Sequence, residues 1–345
     1  MKRVRLILVG LGNLGRRFCE ILVQKQSHLG ERYGLDLALV GAADSQGAAY
    51  SPEGLDLAEI IRLKLSGETI ARYPQAGRTG WSAIDLVSSA EAELLLEASP
   101  VNLGQGAEPG ISCIRIALRR GMHVVTPNKG PIVLAHRELR DLAAAKGVQL
   151  RFDGTVAGGL PAVYLGQRDM RGASVHRIEA VPNLVTGYVM DMLAEGFSWD
   201  EALASARQEG VLEADASWDL DGWDAAAKLL ILVNSLPDAG EPAQLDDVER
   251  SGIRTLEPAE LRSAREQGER YRLLAQADAR PGGGYALRVA PVRIASGHPF
   301  GRLGPKQMGV LFSTDIYGTI TAIIDEPDPI PSAATMLRDL LDIYA

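Results

Sequence analysis

Short apolar runs alternate with amphipathic segments through the first 152 residues of the chain. An apolar run of about four to eight residues bounded by turn residues is typical of a strand that is buried on both faces of a parallel sheet. The segments between these runs carry apolar residues at helical spacing, and several end at a glycine, as helices commonly do. We predict strands over residues 4–10, 35–43, 94–98, 122–126 and 148–152, and helices over residues 13–27, 55–65, 109–120 and 134–146. This alternation predicts an α/β fold with a doubly wound parallel sheet.

The pattern changes in the second half of the chain. Ser198 and Glu201 have the spacing of a capping box, which predicts a helix that runs from there to residue 208. Residues 238–270 are polar with scattered prolines and glycines, and we expect a variable excursion there. The other predicted elements are a strand over residues 178–181, helices over 186–194, 224–236 and 332–344, and strands of a mixed sheet around Leu273, Leu287, Val310 and Ile320.

The length of the chain indicates two domains. Its 345 residues are more than a single hydrophobic core usually serves. The regular alternation of strands and helices ends near residue 152, so we expect one doubly wound domain over residues 1–152. We expect the C-terminal segment, residues 326–345, to join that domain through its helix. Residues 153–325 are then left for a second α/β domain.

Charge and composition exclude several classes of partner. The formal net charge is -8 and no block is dense in lysine and arginine, which argues against nucleic acid and against an anionic membrane surface. No apolar run reaches the ~18–20 residues that a membrane span requires. Cys19 and Cys113 lie far apart in predicted helices, so we expect no disulfide framework and a reducing, cytoplasmic location. The absence of HExxH, CxxC and GxSxG motifs argues against zinc catalysis and against a serine hydrolase.

A glycine-rich motif follows the first predicted strand and opens the first predicted helix. It has the G-x-G-x-x-G spacing and reads Gly10-Leu11-Gly12-Asn13-Leu14-Gly15. Such glycines permit a tight turn, a close backbone approach to a pyrophosphate and helix–strand packing, while the helix N-terminus supplies amide donors. The alternative is an ordinary glycine turn. In this context the motif predicts a Rossmann domain that binds a dinucleotide.

The end of the second predicted strand bears on the choice of cofactor. Asp44 closes that strand, where a carboxylate is expected to accept a hydrogen bond from the adenosine ribose and to disfavour a 2′-phosphate. Ser45 and Gln46 follow it, rather than an arginine. The pattern therefore favours NAD over NADP, although Arg16 and Arg17 lie close enough to keep NADP open.

Lys129 is the first candidate for proton transfer. It follows the predicted strand over residues 122–126, at the presumed carboxyl edge of the sheet, where folds of this kind bind their ligands. Partial desolvation there would lower the pKa of the ammonium group toward a range useful for moving a proton. The alternative is a solvated lysine that caps a loop.

Carboxylates are dense between residues 213 and 224. Asp224 and Lys228 are four residues apart, so they share one face of the predicted helix. The functional interpretation is a pocket whose acids hold an ammonium group while the lysine contacts the reacting oxygen. The alternative is a solvated helix end with acids in its first turn.

Further motifs occur in order along nearly the whole chain. They are Glu97-Ala98-Ser99-Pro100, Thr126-Pro127-Asn128-Lys129, Thr155-Val156-Ala157-Gly158-Gly159-Leu160-Pro161, Gly210-Val211-Leu212-Glu213-Ala214-Asp215, the pattern from Asp219 through Gly222 and Asp224 to Lys228, and His298-Pro299. Together with the glycine motif, these residues resemble the homoserine dehydrogenase family. The blocks over residues 210–215 and 219–228 are the ones specific to that family.

The resemblance implies hydride transfer between a nicotinamide cofactor and a small amino-acid alcohol, with L-homoserine and L-aspartate 4-semialdehyde as the first-choice pair. It implies that Lys129 and Lys228 handle the proton of the substrate alcohol. The residues it assigns to the substrate are Glu213, Asp219, Asp224 and Thr186, and those it assigns to the cofactor are Gly10, Gly12, Asn13, Leu14, Gly15, Asp44, Ser99, Pro100 and Asn128. The backbone carbonyls of Val156, Gly158 and Leu160 match positions that hold a monovalent cation, sodium or potassium, in some relatives.

The resemblance also implies an assembly. It makes residues 153–325 the catalytic and dimerisation domain of a homodimer. We expect no C-terminal regulatory domain, because the chain ends soon after the predicted closing helix.

Three departures from the family pattern stand out. Where relatives usually carry asparagine- or serine-glycine-threonine, this chain has Asn183-Leu184-Val185-Thr186-Gly187-Tyr188. A glycine-rich return near the C-terminus is replaced by Asp325-Glu326-Pro327-Asp328-Pro329-Ile330-Pro331, and Asp153 stands in place of a glutamate beside the cation loop. The first departure leaves open an oxidoreductase for another small polar alcohol. A nucleotide sensor without catalysis is a further alternative, although a sensor would need neither Lys129 nor Lys228.

Overall fold

Residues 1–210, 212 and 216–345 are described by the computed structural model. The chain divides into a first unit, formed by residues 1–159 and 328–345, and a second unit, formed by residues 160–327. Each unit contains one β-sheet, with seven strands in the first and six in the second. This architecture confirms the predicted α/β fold class.

The sheet of the first unit has the order β4-β3-β2-β1-β5-β6-β7. Five of its strands are parallel, and β3 and β4 form an antiparallel edge. Leu6, Ile7 and Leu8 of the first strand are wholly buried, as expected for a parallel strand that is covered on both faces. The strands are β1 (Lys2–Val9), β2 (Leu35–Asp44), β3 (Gly47–Tyr50), β4 (Gly77–Thr79), β5 (Leu94–Glu97), β6 (His123–Val125) and β7 (Leu150–Arg151).

Within the described part of residues 1–159, five α-helices accompany these strands, and the bounds of α1 and α5 differ most from the prediction. They are α1 (Asn13–Tyr33), α2 (Leu57–Leu65), α3 (Ala83–Ser89), α4 (Gly110–Arg119) and α5 (Lys129–Lys146). Helix α1 is six residues longer than predicted, because it ends only at Gly34, which adopts the left-handed conformation of a helix cap. Helix α5 begins at Lys129 rather than at residue 134, with a kink at Ala135.

The antiparallel edge and helix α3 were not predicted. Strand β3 is short, and its first three residues are glycine and alanine rather than the β-branched residues that mark a strand. Helix α3 has only seven residues, and its start is fixed by a capping box between Ser82 and Asp85.

The second unit is built around a mixed sheet of order β13-β12-β8-β10-β11-β9. Its strands are β8 (Val175–Val181), β9 (Val248–Arg250), β10 (Glu269–Ala279), β11 (Tyr285–Ala295), β12 (Gln307–Thr314) and β13 (Thr319–Asp325). Its helices are α6 (Ala162–Tyr164), α7 (Leu184–Glu195), α8 (Trp199–Gln208), α9 (Ser217–Leu220), α10 (Trp223–Asn234) and α11 (Pro258–Glu266). Helices α7 and α10 both pack on β10, so the sheet supports the helix that carries Thr186 and the helix that carries Asp224 and Lys228.

The prediction that residues 238–270 form a variable excursion was wrong in part. It contains β9 and α11, and α11 packs against α7 and β10. Leu261 and Ala264 are the residues that this helix buries. This helix was missed because it has too few apolar residues to form a clear apolar stripe in the sequence.

The closing helix, α12 (Ile330–Tyr344), completes the first unit. It packs against α1 and buries Ala333, Met336 and Leu340. Among the helices of the described residues, none has the length and apolar character that a membrane crossing requires.

Candidate active site

The glycine motif forms the turn between β1 and α1. Gly10 has φ +93°, and a Cβ atom placed there would collide with the carbonyl group of Ala98. A Cβ atom at Gly15 would collide with the carbonyl oxygen of Gly10, whereas one at Gly12 would meet no atom of the described residues within 4 Å. Gly10 and Gly15 therefore serve packing, and the open face at Gly12 leaves room for a ligand to approach the backbone at the start of α1.

Asp44 ends β2, and its carboxylate is already held by its own unit. It accepts hydrogen bonds from Lys64 Nζ at 2.7 Å, the Ile70 amide at 2.8 Å and Thr69 Oγ1 at 2.9 Å. The Gln46 amide donates a fourth at 3.0 Å. Burial alone would raise the pKa of Asp44, but these hydrogen bonds, with that from Lys64 foremost, hold it below its usual value. Asp44 is therefore an ionised group fixed at the carboxyl edge of the sheet.

A buried carboxylate links the ends of β5 and β6. Glu97 is wholly buried and accepts hydrogen bonds from the Ser99 amide at 2.9 Å, the Ser99 hydroxyl, and Thr126 Oγ1 at 3.0 Å. Asn128 Nδ2 in turn donates to Ser99 Oγ at 3.3 Å. Burial raises the pKa of Glu97, although the hydrogen bonds from its neighbours act in the opposite direction. Glu97 thus fixes Ser99 and, through it, Asn128; Pro100 follows directly.

Asn128 also explains the position of Lys129. Its side-chain oxygen accepts a hydrogen bond from the Gly130 amide at 3.0 Å, which caps α5. Lys129 is therefore the first residue of the helix and is half-buried.

The second unit brings the predicted acids and lysine together. Lys228 Nζ lies 2.8 Å from Asp224 Oδ2, and it donates a second hydrogen bond to the Pro182 carbonyl oxygen, also at 2.8 Å. Asn183 Nδ2 lies 2.6 Å from both Asp219 Oδ1 and Asp224 Oδ2. Asp224 and Asn183 are buried, with 5% and 6% of their surface exposed. We call Asn183, Asp219, Asp224 and Lys228 the acid–lysine cluster.

Asn183 also fixes the start of α7. Its side-chain oxygen accepts a hydrogen bond from the Thr186 amide at 3.2 Å, as an N-cap does. Thr186 itself is almost completely buried in the first turn of this helix. Glu213, the remaining predicted substrate ligand, lies outside the described residues.

The predicted cation loop falls at the boundary between the two units. Val156 and Gly158 belong to the first unit and Leu160 to the second. Ala157 and Gly158 have φ values of +53° and +57°, so the loop turns through left-handed conformations. Asp153, just before the loop, is wholly buried and pairs with Arg338 of α12.

Family models account for most of the chain. The model described as "Homoserine dehydrogenase" matches residues 161–341, and the one described as "Homoserine dehydrogenase, NAD binding domain" matches residues 10–153. The chain belongs to the homoserine dehydrogenase family. This confirms the resemblance that the motifs indicated.

Individual homoserine dehydrogenases are similar over their full length. The homoserine dehydrogenase of Methanocaldococcus jannaschii is 32% identical over 98% of each chain. The NAD(+)-dependent homoserine dehydrogenase of Pseudomonas canavaninivorans is 30% identical over 100% of this chain and 97% of the relative. A hyperthermophilic archaeal homoserine dehydrogenase solved in complex with NADPH superposes with a TM-score of 0.85 at 26% identity, covering 99% of this chain and 98% of that one. The protein is accordingly an NAD(P)-dependent dehydrogenase of this family.

Sequence reasoning missed several residues that organise this homoserine dehydrogenase fold. Lys64 and Thr69, which hold Asp44, carried no motif. Asn183 stood in a motif but was noted only as part of a departure, and its N-cap position before α7 was the signal that could have identified it. Glu97 was quoted as part of a motif without a role, although a glutamate at the end of an apolar strand needs buried partners.

Proposed function

We propose that the protein catalyses the reversible oxidation of L-homoserine to L-aspartate 4-semialdehyde with NAD(P) as hydride carrier. The acid–lysine cluster carries the proposal. It combines two carboxylates, which suit the ammonium group of an amino acid, with a lysine fixed at 2.8 Å from one of them, which suits the oxygen of the reacting carbon. Membership of the homoserine dehydrogenase family supports the same substrate pair.

We assign substrate binding and proton transfer to different residues of the chain. Asp219 and Asp224 hold the substrate ammonium group, with Glu213 and Thr186 as further substrate ligands. Lys228 contacts the alcohol oxygen, and Lys129 and Lys228 together form the route by which the single hydroxyl proton leaves as the alcohol is oxidised. The bound nicotinamide supplies the hydride chemistry, while the protein aligns the carbon and moves the proton.

The cofactor side is assigned to the first unit. The backbone of Gly10, Gly12, Asn13, Leu14 and Gly15 would cradle the pyrophosphate, and Ser99, Pro100 and Asn128 would line the nicotinamide pocket. We propose NAD as the preferred cofactor, because the ionised carboxylate of Asp44 stands at the end of β2 and repels a 2′-phosphate. The partner of Asp44, Lys64, weakens that repulsion, so we expect a preference rather than an exclusion.

Assembly and location complete the proposal. We propose a homodimer formed through the second unit, where the edge strand β13 exposes Ile323. A cytoplasmic location is supported by Cys19 and Cys113, which are both buried free thiols.

One observation favours a second candidate, an oxidoreductase for another small polar alcohol. Leu184 and Val185 stand in the first turn of α7, directly after Asn183 of the acid–lysine cluster, and Val185 is buried. These apolar side chains replace smaller or polar ones of the family pattern, so they can alter the shape of the substrate pocket.

A turnover panel distinguishes the two candidates. Rates of NAD⁺ and NADP⁺ reduction are measured with L-homoserine, other hydroxy amino acids and polyols. We expect the highest kcat/KM with L-homoserine. A clearly higher value with another alcohol establishes the second candidate, and no reduction with any of them removes the dehydrogenase assignment.

A further inference from the structure

The buried carboxylate of Asp153 is neutralised by a side chain far away in sequence. Arg338 of α12 donates one hydrogen bond to Asp153 Oδ2 and another, of 2.9 Å, to the carbonyl oxygen of Gly159. Asp153 is wholly buried, and such a carboxylate is stable only when it is paired and hydrogen-bonded. The guanidinium group thereby connects the two ends of the loop formed by residues 153–159.

Helix α12 holds the same loop at two further points. The Asp153 amide donates to Asp339 Oδ2 at 3.1 Å. A Cβ atom at Gly154 would lie 3.1 Å from Thr335 Oγ1, so the helix and the loop are closely packed there. Thr335, Arg338 and Asp339 lie three and four residues apart and therefore share one face of the helix.

These contacts do not fit a monovalent cation held by the loop. A cation bound beside Asp153 would lie close to the guanidinium group of Arg338, which already pairs with that carboxylate, and two like charges at such a distance repel each other. The carboxylate that would compensate the ion is already paired with Arg338. The Leu160 carbonyl, one of the three implied by the family resemblance, accepts a hydrogen bond from the Ala162 amide at 2.8 Å.

We infer that the guanidinium group of Arg338 takes the place of a monovalent cation at the 153–159 loop. The enzyme then needs neither Na⁺ nor K⁺ for the stability of this loop, and its turnover is independent of both ions. The statement about turnover rests on the proposed function, whereas the statement about stability does not.

The first test measures the thermal midpoint of the wild-type protein in NaCl, KCl and tetramethylammonium chloride at an equal ionic strength of about 0.1 M. An ion that binds the folded state raises the midpoint in a saturable manner. We expect equal midpoints in the three salts. A saturable increase with Na⁺ or K⁺ over tetramethylammonium overturns the inference, whatever the substrate of the enzyme is.

The second test replaces the arginine. Arg338→Met keeps a long side chain but removes the guanidinium group from Asp153, so we expect a lower midpoint that Na⁺ or K⁺ partly restores and tetramethylammonium does not. Arg115→Met is the matched control, because it removes an arginine that pairs with exposed Glu138 in the same unit. Its midpoint should be equal in all three salts. A midpoint of Arg338→Met that equals the wild-type value, or one that no small cation restores, overturns the inference.

Arg338→Lys keeps the test decisive if the methionine variant does not fold. An ammonium group retains the charge but cannot span both acceptors as the guanidinium fork does. We expect a midpoint below that of the wild type and equal in the three salts. A midpoint raised by Na⁺ or K⁺ in this variant contradicts the inference.

The turnover of the wild type is measured in the same three salts. We expect equal rates in all of them. A lack of turnover in every salt refutes the proposed function, but it does not change what the thermal midpoints show about the loop.

Discussion

At the scale of single residues, Asn183 has two structural tasks. Its side-chain oxygen caps α7, and its amide nitrogen lies between the carboxylates of Asp219 and Asp224. These carboxylates would repel each other without a donor between them, and Asp224 is buried. Asn183 therefore couples the start of a helix to the geometry of the acid–lysine cluster.

Replacing Asn183 should affect stability and substrate binding separately. Asn183→Ala removes the cap, so we expect the free energy of unfolding to fall by about 1–2 kcal/mol. It also removes the donor that joins Asp219 to Asp224, and we expect the KM for homoserine to rise by about tenfold, the size of one hydrogen bond to a charged group. Asn183→Ser, the control, keeps a side-chain oxygen that can cap the helix but cannot donate to both acids at once. It should retain the stability of α7 and still raise KM, as chemical denaturation and steady-state kinetics would reveal; an unchanged KM in both variants would contradict the assignment.

Asp44 should determine the choice between the two nicotinamide cofactors. We expect NADH to bind more tightly than NADPH, and Asp44→Ser to narrow the difference, because the variant lacks the ionised group. The pKa of Asp44 is lowered in the folded protein, so its charge persists below the usual range of an aspartate and the preference should persist as pH falls toward that range. Fluorescence titration of both cofactors at several pH values provides the measurement. Tighter binding of NADPH by the wild type would refute the assignment.

At the scale of elements, Glu97 joins the carboxyl ends of β5 and β6. A glutamine in its place offers one acceptor oxygen to three donors, so Ser99 and Asn128 should shift. We expect Glu97→Gln to raise the KM for the nicotinamide cofactor by about tenfold while the KM for homoserine changes little. Glu93→Gln is the control, since Glu93 lies just before the other end of β5 and pairs with Arg5. Equal cofactor KM values in the two variants would show that Glu97 does not position the cofactor side.

The ionisation of Glu97 also predicts how the difference in stability between Glu97→Gln and the wild type depends on pH. Burial raises the pKa of the folded carboxyl, so ionising it costs stability as pH rises above the value of an unfolded glutamate, about 4.3. Glutamine does not ionise. The stability of Glu97→Gln relative to the wild type should therefore improve as pH rises through that window, which denaturation at several pH values would reveal.

The first turn of α7 should govern substrate choice. If Leu184 and Val185 reshape the pocket, their replacement by glycine and threonine should raise homoserine turnover. Equal and efficient turnover by the wild type and the double variant would show that this departure from the family pattern has no functional effect.

Elements with continuous apolar patterns were predictable, and those with weak patterns were not. Strands β1, β2, β5 and β6 of the first unit were found because their buried residues leave apolar runs in the sequence. Strand β3 was missed because its buried residues are glycine and alanine, and helix α11 was missed because a surface helix needs few apolar residues. The start of α5 was placed five residues too late, because Asn128 looked like part of a loop when it is an N-cap.

At the scale of the whole molecule, the sequence predicts which residues are chemically active but not which partners they have. Asp44 and Lys64 are 20 residues apart, Asn183 and Asp224 are 41 apart, and Asp153 and Arg338 are 185 apart. Local periodicity cannot relate residues at such distances, since only the tertiary fold brings them together. The predicted roles of Lys129, Lys228 and the acids stay predictions that need kinetic tests.

The pH dependence of homoserine oxidation by the wild type, Lys129→Ala and Lys228→Ala tests the central claim most directly. A group that accepts the hydroxyl proton gives a rate that rises with pH, and each replacement should lower turnover by at least about 100-fold. Lys228→Ala leaves buried Asp224 without its lysine, so its thermal midpoint should also fall, whereas the affinity for the cofactor should not change. Near-normal turnover by either folded variant would remove that lysine from the mechanism. No homoserine oxidation by the wild type with either cofactor would contradict the proposed function as a whole.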